Sequence, residues 1–161
     1  MDSTGYLAIA IVIISVLVIM LSRRRVQFVD LDDSALDHML DSPPQKDETG
    51  DKSVPVIFNI TPEQLDRIRK RSDVSLVDIR QPFEHRSLPP IPGSSRIPLF
   101  QLRTRTQELD PDKNTVAICL SGHRSVAAGR TLIRNGFHRV FQLKGGMSAW
   151  AAHHDTEHSH D

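Results

Sequence analysis

The sequence predicts an α/β domain with a mainly parallel central sheet flanked by helices, preceded by one transmembrane helix. Between residues 54 and 152, short apolar runs typical of buried parallel strands alternate with segments that carry helix signals. Ahead of them, residues 7–21 are apolar apart from Ser15, a length within the range that crosses a bilayer. These two patterns divide the chain of 161 residues into an anchor, a linker, one domain and a tail.

The N-terminal apolar stretch is predicted to be an uncleaved anchor. As a helix, residues 6–22 would be about 26 Å long, close to the ~30 Å hydrocarbon core of a bilayer. A cleaved signal peptide needs a cationic start and a small-residue cleavage site, whereas residues 1–5 carry Asp2 and no basic side chain. Because three arginines follow at residues 23–25, the positive-inside tendency places the C-terminal domain in the cytoplasm. We therefore expect a single-pass membrane protein anchored by residues 1–25, with a buried soluble helix as the less favoured alternative.

Residues 26–53 are predicted to be an acidic linker. Residues 30–52 contain eight Asp and Glu side chains against two Lys, a composition that favours a solvated chain. Apolar residues fall at helical spacing between Phe28 and Leu40, which leaves a short amphipathic helix as the alternative.

The domain of residues 54–152 is predicted element by element. Residues 56–60 form a strand candidate, and Thr61 and Pro62 supply the N-cap and first-turn proline of a helix that runs to about Arg71. Residues 75–79 form a second, mostly apolar strand. The remaining predicted elements are an edge-like strand at 96–98, a helix at 99–109, a turn at 110–114, a strand at 115–118, a helix at 126–134, a strand at 140–143 and a helix from 147.

One loop carries the candidate chemistry. Cys119, the only cysteine of the chain, follows a strand and lies just ahead of a helix. Loop amides and a helix N-terminus favour anions, including the thiolate form of a cysteine, which is its nucleophilic form. Arg124 adds a permanent cation, and Gly122 provides the backbone freedom that a tight loop requires. The alternative is a buried cysteine that acts only as a small hydrophobic residue.

The pattern Cys-x-x-Gly-x-Arg-Ser at residues 119–125 resembles the active-site loop of the rhodanese family, the thiosulfate sulfurtransferases and their single-domain relatives. Three other segments are similar to motifs of this family and occur in the family's order. They are Leu-Val-Asp-Ile-Arg at 76–80 followed by Glu84, Ile-Pro-Gly-Ser-Ser-Arg-Ile-Pro at 91–98, and Leu-Lys-Gly-Gly-Met-Ser-Ala-Trp at 143–150. Pro89 and Pro90 stand where the family usually has Gly-His. The chain is thus identified as a membrane-anchored, single-domain member.

The resemblance implies an enzyme, a thiosulfate sulfurtransferase with Cys119 as the catalytic nucleophile. Sulfane sulfur would move from thiosulfate or a persulfide donor to cyanide or a thiol, small-molecule or protein, through a Cys119 persulfide, with no metal or organic cofactor. Asp78, Arg80 and Glu84 are interpreted as structural ion pairs or loop anchors, with substrate contact as the alternative. The residues assigned to substrate binding are Leu120, Ser121, Gly122, His123, Arg124 and Ser125.

Two other classes of function stay open at this point. A membrane-tethered sulfur carrier or binding module would form the persulfide without turning over thiosulfate. A phosphatase or arsenate reductase is the other class. Enzymes of this kind that resemble the sulfurtransferases in fold have five residues between the cysteine and the arginine. Here four residues separate Cys119 from Arg124, which predicts a smaller ring of amides that fits one sulfur better than a tetrahedral oxyanion.

Charge and the tail complete the predictions. After residue 53 the chain has 15 Lys and Arg against 11 Asp and Glu, a balance that suits small anionic substrates and is too weak for nucleic acid. The family resemblance implies a small anionic sulfur donor and a thiol acceptor as partners, and the apolar residues 6–22 imply a lipid bilayer. Residues 153–161 form a His-rich tail that is expected to be disordered, with metal binding as the less favoured alternative.

Overall fold

The structure, a computed structural model, describes residues 11–15, 26–43 and 55–158. Strands and helices alternate along most of the described chain. The strands are β1 (Gln27–Asp30), β2 (Val56–Ile60), β3 (Val74–Asp78), β4 (Ser95–Arg96), β5 (Asn114–Ile118) and β6 (Val140–Leu143). The helices are α1 (Asp33–Asp41), α2 (Pro62–Ile68), α3 (Leu99–Arg105), α4 (His123–Arg134) and α5 (Gly146–His158), with 3-10 helices at Pro82–Arg86 and Thr106–Glu108.

The described strands form one sheet in the order β1-β2-β6-β5-β3-β4, and every neighbouring pair is parallel. This confirms the predicted α/β domain with its parallel central sheet. Strand β5 lies inside the sheet between β6 and β3, and all five of its residues are buried. Because all strands run the same way, the loops after β3, β4, β5 and β6 emerge at one edge, which we call the carboxyl edge.

The core has two layers, one on each face of the sheet. Along β5, Val116 and Ile118 pack into one layer, whereas Ala117 and the following Cys119 pack into the other. Successive side chains of a strand point to opposite faces, so the alternation follows from the extended backbone. Residues of α1, α2 and α5 belong to the first layer, and residues of α3 and α4 to the second. Cys119 therefore lies on the face that α3 and α4 cover.

Helix α2 begins where its sequence predicts. The Thr61 hydroxyl accepts a hydrogen bond from the Gln64 amide at 3.3 Å, and the Gln64 side-chain oxygen accepts one from the Thr61 amide at 2.9 Å. This reciprocal pair satisfies two amides that the first turn leaves unpaired. The helix ends at Ile68 instead of Arg71, and α3 likewise ends at Arg105, before a 3-10 turn. Helix ends are the least determined part of a sequence pattern.

The acidic segment after the predicted anchor differs from the solvated linker expected there. Strand β1 pairs with β2, with Gln27 opposite Val56, and Leu36 of α1 is completely buried. The segment folds because its apolar residues cover the first core layer and its acidic residues meet basic side chains. Those contacts are Asp33 and Asp37 with Arg67, Asp41 with Arg71, and Asp30 with Lys144. The amphipathic alternative is thus correct for α1, and residues 44–53 of the predicted linker lie outside the described residues.

The predicted membrane anchor lies largely outside the described residues. Residues 11–15 are helical and exposed, and the rest of the 6–22 stretch is not described. Within residues 11–15, 26–43 and 55–158, no helix has both the length and the apolar character needed to cross a bilayer. The anchor and its orientation stay predictions.

The start of the His-rich tail also differs from its expected disorder. Helix α5 continues to His158, and residues 159–161 lie outside the described residues. His154 packs against Trp150 with ring centroids 4.2 Å apart, and His153 lies 3.3 Å from a Glu63 carboxylate oxygen on α2. Across the described residues, no group of His, Cys, Asp and Glu side chains is arranged to hold a metal ion.

The burial of α1 predicts that it contributes to stability. Replacing Leu36 with Ala should lower the free energy of unfolding by about 2–5 kcal/mol, because the deletion leaves a cavity in the first core layer. The control Asp37→Ala removes an exposed ion pair and should cost less than about 1 kcal/mol. Urea unfolding of both variants measures the difference. Equal, negligible losses would show that α1 is dispensable for the fold.

Candidate active site

Cys119 lies directly after the last residue of β5, at the carboxyl edge of the sheet. Its side chain is fully buried and its thiol is free. The Gly122 amide donates a hydrogen bond to Cys119 Sγ over 3.1 Å. An N–H group pointed at sulfur stabilises negative charge there. The local geometry therefore suits a nucleophilic sulfur. A cysteine surrounded only by hydrocarbon would lack the N–H group that stabilises negative charge on Sγ.

The helix behind the loop starts earlier than its apolar run predicts. Helix α4 begins at His123 instead of Val126, with Gly122 at its N-cap. Gly122 has φ +91°, in the left-handed region that favours glycine. The first amides of a helix have no partner within the helix, and the helix dipole is positive at this end. Starting the helix at His123 brings these amides next to the cysteine loop.

The loop rests on the start of α5. The Met147 amide donates to the Cys119 carbonyl at 2.8 Å, and the Ser148 amide donates to the Leu120 carbonyl at 3.0 Å. Gly146 lies so close beneath the loop that a Cβ atom there would fall 2.4 Å from the Cys119 carbonyl oxygen. Only glycine fits, so the Gly-Gly pair of residues 145–146 forms the platform of the cysteine loop.

Arg124 is held by a carboxylate instead of standing as a free cation. Its two terminal nitrogens donate to the two Glu84 oxygens at 2.7 and 2.5 Å. The hydrogen bond from Arg124 is the main reason why the pKa of Glu84 falls from 4.5 to about 2. In turn, the hydrogen bond from Arg124 to Glu84 is the main reason why the pKa of Arg124 is raised. Arg124 is thus fixed at the start of α4 by a carboxylate that offsets most of its charge.

Asp78 and Arg80 form a buried ion pair. Both side chains are essentially inaccessible, and Arg80 Nη2 lies 2.7 Å from Asp78 Oδ2. Arg80 Nη1 also donates to the Leu88 carbonyl at 2.9 Å, which anchors the segment just before Pro89. This matches the interpretation as a structural pair and loop anchor. The pair ties β3 to the segment that carries Glu84.

The remaining predicted binding residues divide between the rim and the interior. The exposed Ser121 hydroxyl lies 3.0 Å from His123 Nδ1, and Leu120 is also exposed. Ser125 is buried, and its hydroxyl donates to the Ala117 carbonyl at 3.3 Å. The Ser125 side chain therefore fixes the helix to β5, so any contribution to binding would come from its amide.

Two residues matter more here than sequence reasoning suggested. Glu84 was assigned to the scaffold, yet it is the direct partner of Arg124. Gly146 was part of a motif without a role of its own. Consecutive glycines directly after a strand are a signal of close backbone approach, but the approaching segment is distant in sequence.

An open cleft elsewhere in the molecule does not coincide with this loop. It is lined by residues of α1 together with Phe58, His138 and Arg139. Arg139 precedes β6 and therefore lies at the opposite edge of the sheet from Cys119. Its guanidinium donates to the carbonyls of Ser42 and Pro43, which holds the end of α1 in place. The candidate site is defined by the chemistry of the loop, not by this cleft.

The fold and the loop together define a class of protein. It is an α/β domain that presents a buried cysteine to the Gly122 amide at the carboxyl edge of a parallel sheet, just ahead of a helix N-terminus. The chain belongs to the rhodanese-like domain family, whose family model matches residues 61–153.

Relatives and solved structures agree with this assignment. A sulfurtransferase of Allochromatium vinosum is 39% identical over 87 residues, which are 54% of this chain and 80% of that protein. The thiosulfate sulfurtransferase GlpE of Pseudomonas fluorescens is 34% identical over 91 residues, 56% of this chain and 82% of that protein. The crystal structure of a rhodanese-related protein from Thermoplasma volcanium has a TM-score of 0.53 at 30% identity, covering 59% of this chain and 91% of that chain.

The platform under the loop predicts a specific effect of Gly146→Ala. The new methyl group must push the Cys119 carbonyl away, which misplaces the sulfur relative to the loop amides. We expect sulfur transfer from thiosulfate to cyanide, measured as thiocyanate, to fall by about a hundredfold. Gly136→Ala is the control, because Gly136 also has positive φ, +87°, but nothing lies near its Cβ position. Similar losses in both variants would assign the effect to backbone strain alone.

The Glu84–Arg124 pair predicts a pH-dependent contribution to stability. Because the folded-state pKa of Glu84 is depressed, its contribution is complete above pH 4.5 and is lost as the pH falls toward about 2. The depressed pKa corresponds to a contribution of at most about 3 kcal/mol to the free energy of unfolding. Because Arg124 is 35% exposed, solvent screening reduces this contribution. In Glu84→Gln, the free energy of unfolding from urea titrations should vary less over this window. Glu108→Gln, in the exposed pair with Arg105, is the matched control and should change the pH profile less. Parallel profiles for wild type and Glu84→Gln would contradict the prediction.

Proposed function

We propose that this chain is a sulfurtransferase that moves sulfane sulfur from thiosulfate or a persulfide donor to a thiol or cyanide through a Cys119 persulfide. The observation that carries the proposal is the 3.1 Å hydrogen bond from the Gly122 amide to Cys119 Sγ, in a loop that leads into the N-terminus of α4. Membership of the rhodanese-like domain family supports it. So do the relatives whose names describe sulfurtransferases.

In the first step, Cys119 Sγ attacks the outer sulfur of thiosulfate. A new sulfur–sulfur bond forms to Cys119 as the bond within thiosulfate breaks, and its electron pair leaves on sulfite. The total charge of the reactants is conserved, and the negative charge of the enzyme moves from Sγ to the transferred sulfur. The amides of the loop and of the first turn of α4 would stabilise that charge.

Arg124 has N–H groups to offer the donor while Glu84 holds it in place. A guanidinium has five N–H donors, and the Glu84 carboxylate accepts one hydrogen bond from each terminal nitrogen. The N–H groups that Glu84 does not use can donate hydrogen bonds to thiosulfate or another anionic source of sulfur as it approaches. In this proposal Glu84 positions the guanidinium, and Arg124 screens the negative charge of thiosulfate.

In the second step, an acceptor thiolate or cyanide attacks the outer sulfur of the persulfide. The bond to Cys119 breaks, and its electron pair returns to Sγ, so the enzyme is restored without an added reductant. Cys119 is the only cysteine of the chain, so this chain cannot supply the resolving thiol and the acceptor is external.

Mass analysis of the intact protein tests the proposal directly. After incubation with thiosulfate, the protein should gain the mass of one sulfur atom, and cyanide should remove it. Cys119→Ser should neither gain the sulfur nor form thiocyanate, because a hydroxyl is a poor nucleophile at neutral pH. Circular dichroism of the variant should show that the fold is retained. Thiocyanate formation by Cys119→Ser would disprove the role of Cys119.

The same preparation distinguishes the alternative functions. A sulfur carrier would gain the sulfur atom but form thiocyanate at a negligible rate. A phosphatase would hydrolyse an aryl phosphate through Cys119. We expect thiocyanate to form, as the proposed function requires. We expect no hydrolysis of aryl phosphates, because four residues between Cys119 and Arg124 give a ring of amides too small for a tetrahedral oxyanion. Aryl phosphate hydrolysis that exceeds sulfur transfer would reverse this assignment.

We also propose that residues 6–22 anchor the chain in a membrane, with the catalytic domain in the cytoplasm. The apolar composition of this stretch and the arginines at 23–25 support the proposal. Strand β1 begins at Gln27, so the domain would follow the arginines almost immediately. Protease added to intact spheroplasts should spare the domain and digest it after lysis. Digestion before lysis, or a mature protein that lacks residues 1–22, would contradict the proposed topology.

A further inference from the structure

Three large apolar side chains are exposed at the carboxyl edge of the sheet. Phe83 is 67%, Phe100 68% and Leu120 37% exposed. They follow the ends of β3, β4 and β5, which are consecutive in the sheet order β5-β3-β4. Leu120 is adjacent to Cys119, and Phe83 is adjacent to Glu84, which binds Arg124. The three apolar side chains therefore lie on segments that leave the same edge of the sheet as the cysteine loop.

Unpaired arginines accompany these apolar side chains. Arg86, Arg96 and Arg103 are exposed and form no ion pair with the described residues. Residues 81–104 contain one carboxylate, Glu84, and it already forms an ion pair with Arg124. By contrast, Arg67, Arg69, Arg71 and Arg105 each lie against an acidic side chain. The carboxyl edge near Cys119 therefore has an uncompensated positive charge.

The spacing along each element places an arginine and a phenylalanine on the same side of it. Phe83 and Arg86 are three residues apart in a 3-10 helix, where side chains at that spacing lie above one another. Phe100 and Arg103 have the same spacing on α3 and are neighbours on its surface. Arg96 ends the edge strand β4. We define the edge surface as Phe83, Arg86, Arg96, Phe100, Arg103 and Leu120.

We propose that the edge surface docks an acidic protein that presents a cysteine thiol to the Cys119 persulfide. This inference rests on the proposed function and names its acceptor. A small sulfur donor needs no exposed aromatic rings, whereas a protein interface uses them together with arginine. The uncompensated arginines favour an acidic partner by charge complementarity. An anionic bilayer is negatively charged like an acidic protein. If the edge surface bound a bilayer, however, the lipid would cover the loop through which the acceptor must reach the sulfur.

The transfer step in the docked complex is balanced. The partner thiolate attacks the outer sulfur of the Cys119 persulfide, and a new sulfur–sulfur bond forms on the partner. The bond to Cys119 Sγ breaks, and its electron pair stays on Sγ. The partner leaves as a persulfide, Cys119 returns as a thiolate, and no outside oxidant or reductant is consumed.

Peptide acceptors test the docking surface. Each peptide contains one cysteine, flanked in one peptide by Asp and Glu and in the other by Asn and Gln. With Cys119 loaded from thiosulfate, the acidic peptide should take the sulfur about tenfold faster, and high salt should abolish this advantage. The variant Arg86→Gln/Arg96→Gln/Arg103→Gln should lose the preference, and Phe83→Ala/Phe100→Ala should slow transfer to the acidic peptide. Both variants should still be loaded by thiosulfate.

A matched control removes the same charge from elsewhere. Arg130→Gln/Arg134→Gln/Lys113→Gln deletes three cations that lie on α4 and before β5, and it should keep the preference. An equal loss in this control would attribute the effect to net charge and would overturn the proposal. So would equal rates for the two peptides with the wild-type protein.

Binding separates this inference from the proposed function. Fluorescence anisotropy of the labelled acidic peptide with Cys119→Ser measures docking without any sulfur chemistry. If wild type gains no sulfur from thiosulfate, the proposed function fails, and the anisotropy still decides whether the surface prefers acidic peptides. Phosphatidylcholine vesicles with and without phosphatidylserine provide the last comparison. If the edge surface variants lose binding to phosphatidylserine vesicles while wild type binds both peptides equally, the surface binds lipid and the proposal is wrong.

Discussion

The cysteine loop depends on its contact with the start of α5. The amides of Met147 and Ser148 bind the carbonyls of Cys119 and Leu120, and Gly146 allows the two backbones to approach this closely. Buried backbone carbonyls need hydrogen-bond partners, and these two hydrogen bonds provide partners for carbonyls of the loop. Within the loop, the Gly122 amide donates a hydrogen bond to Sγ. The reactive sulfur is thus held by two connections, the end of β5 and the start of α5.

Charges near the cysteine are arranged in two zones. In the cysteine loop and the segments that support it, Glu84 holds the guanidinium of Arg124 and Asp78 binds Arg80, so these fixed charges are paired. The attraction for an anionic sulfur therefore depends chiefly on amides and on the N-terminus of α4. The edge surface contributes Arg86, Arg96 and Arg103, which have no acidic partner among the described residues. In the proposed function, the inner zone would stabilise one sulfur atom and the edge surface would contact a larger partner.

The N-terminal acidic segment is part of the domain, although it lies outside residues 61–153, which match the family model. Strand β1 extends the sheet beyond β2, and α1 adds Leu36 and Leu40 to the first core layer. Arg139, at the edge opposite Cys119, holds the end of α1 through backbone carbonyls. An anchor before Gln27 would therefore be connected to a folded element, and it would restrict how the domain can turn relative to a membrane.

The sequence by itself determined the class of the fold, the order of most strands and helices along the chain, and the position of Cys119 after a strand. These features depend on local patterns of apolar residues, caps and turns, which act over a few residues. Only the tertiary structure decided that Glu84 binds Arg124, that Gly146 supports the loop and that α1 packs against the sheet. Each of these contacts joins segments that are distant in sequence, so local patterns do not contain it. For the acidic segment, its composition indicated a solvated chain, but its side chains found basic and apolar partners that only the assembled sheet brings within reach.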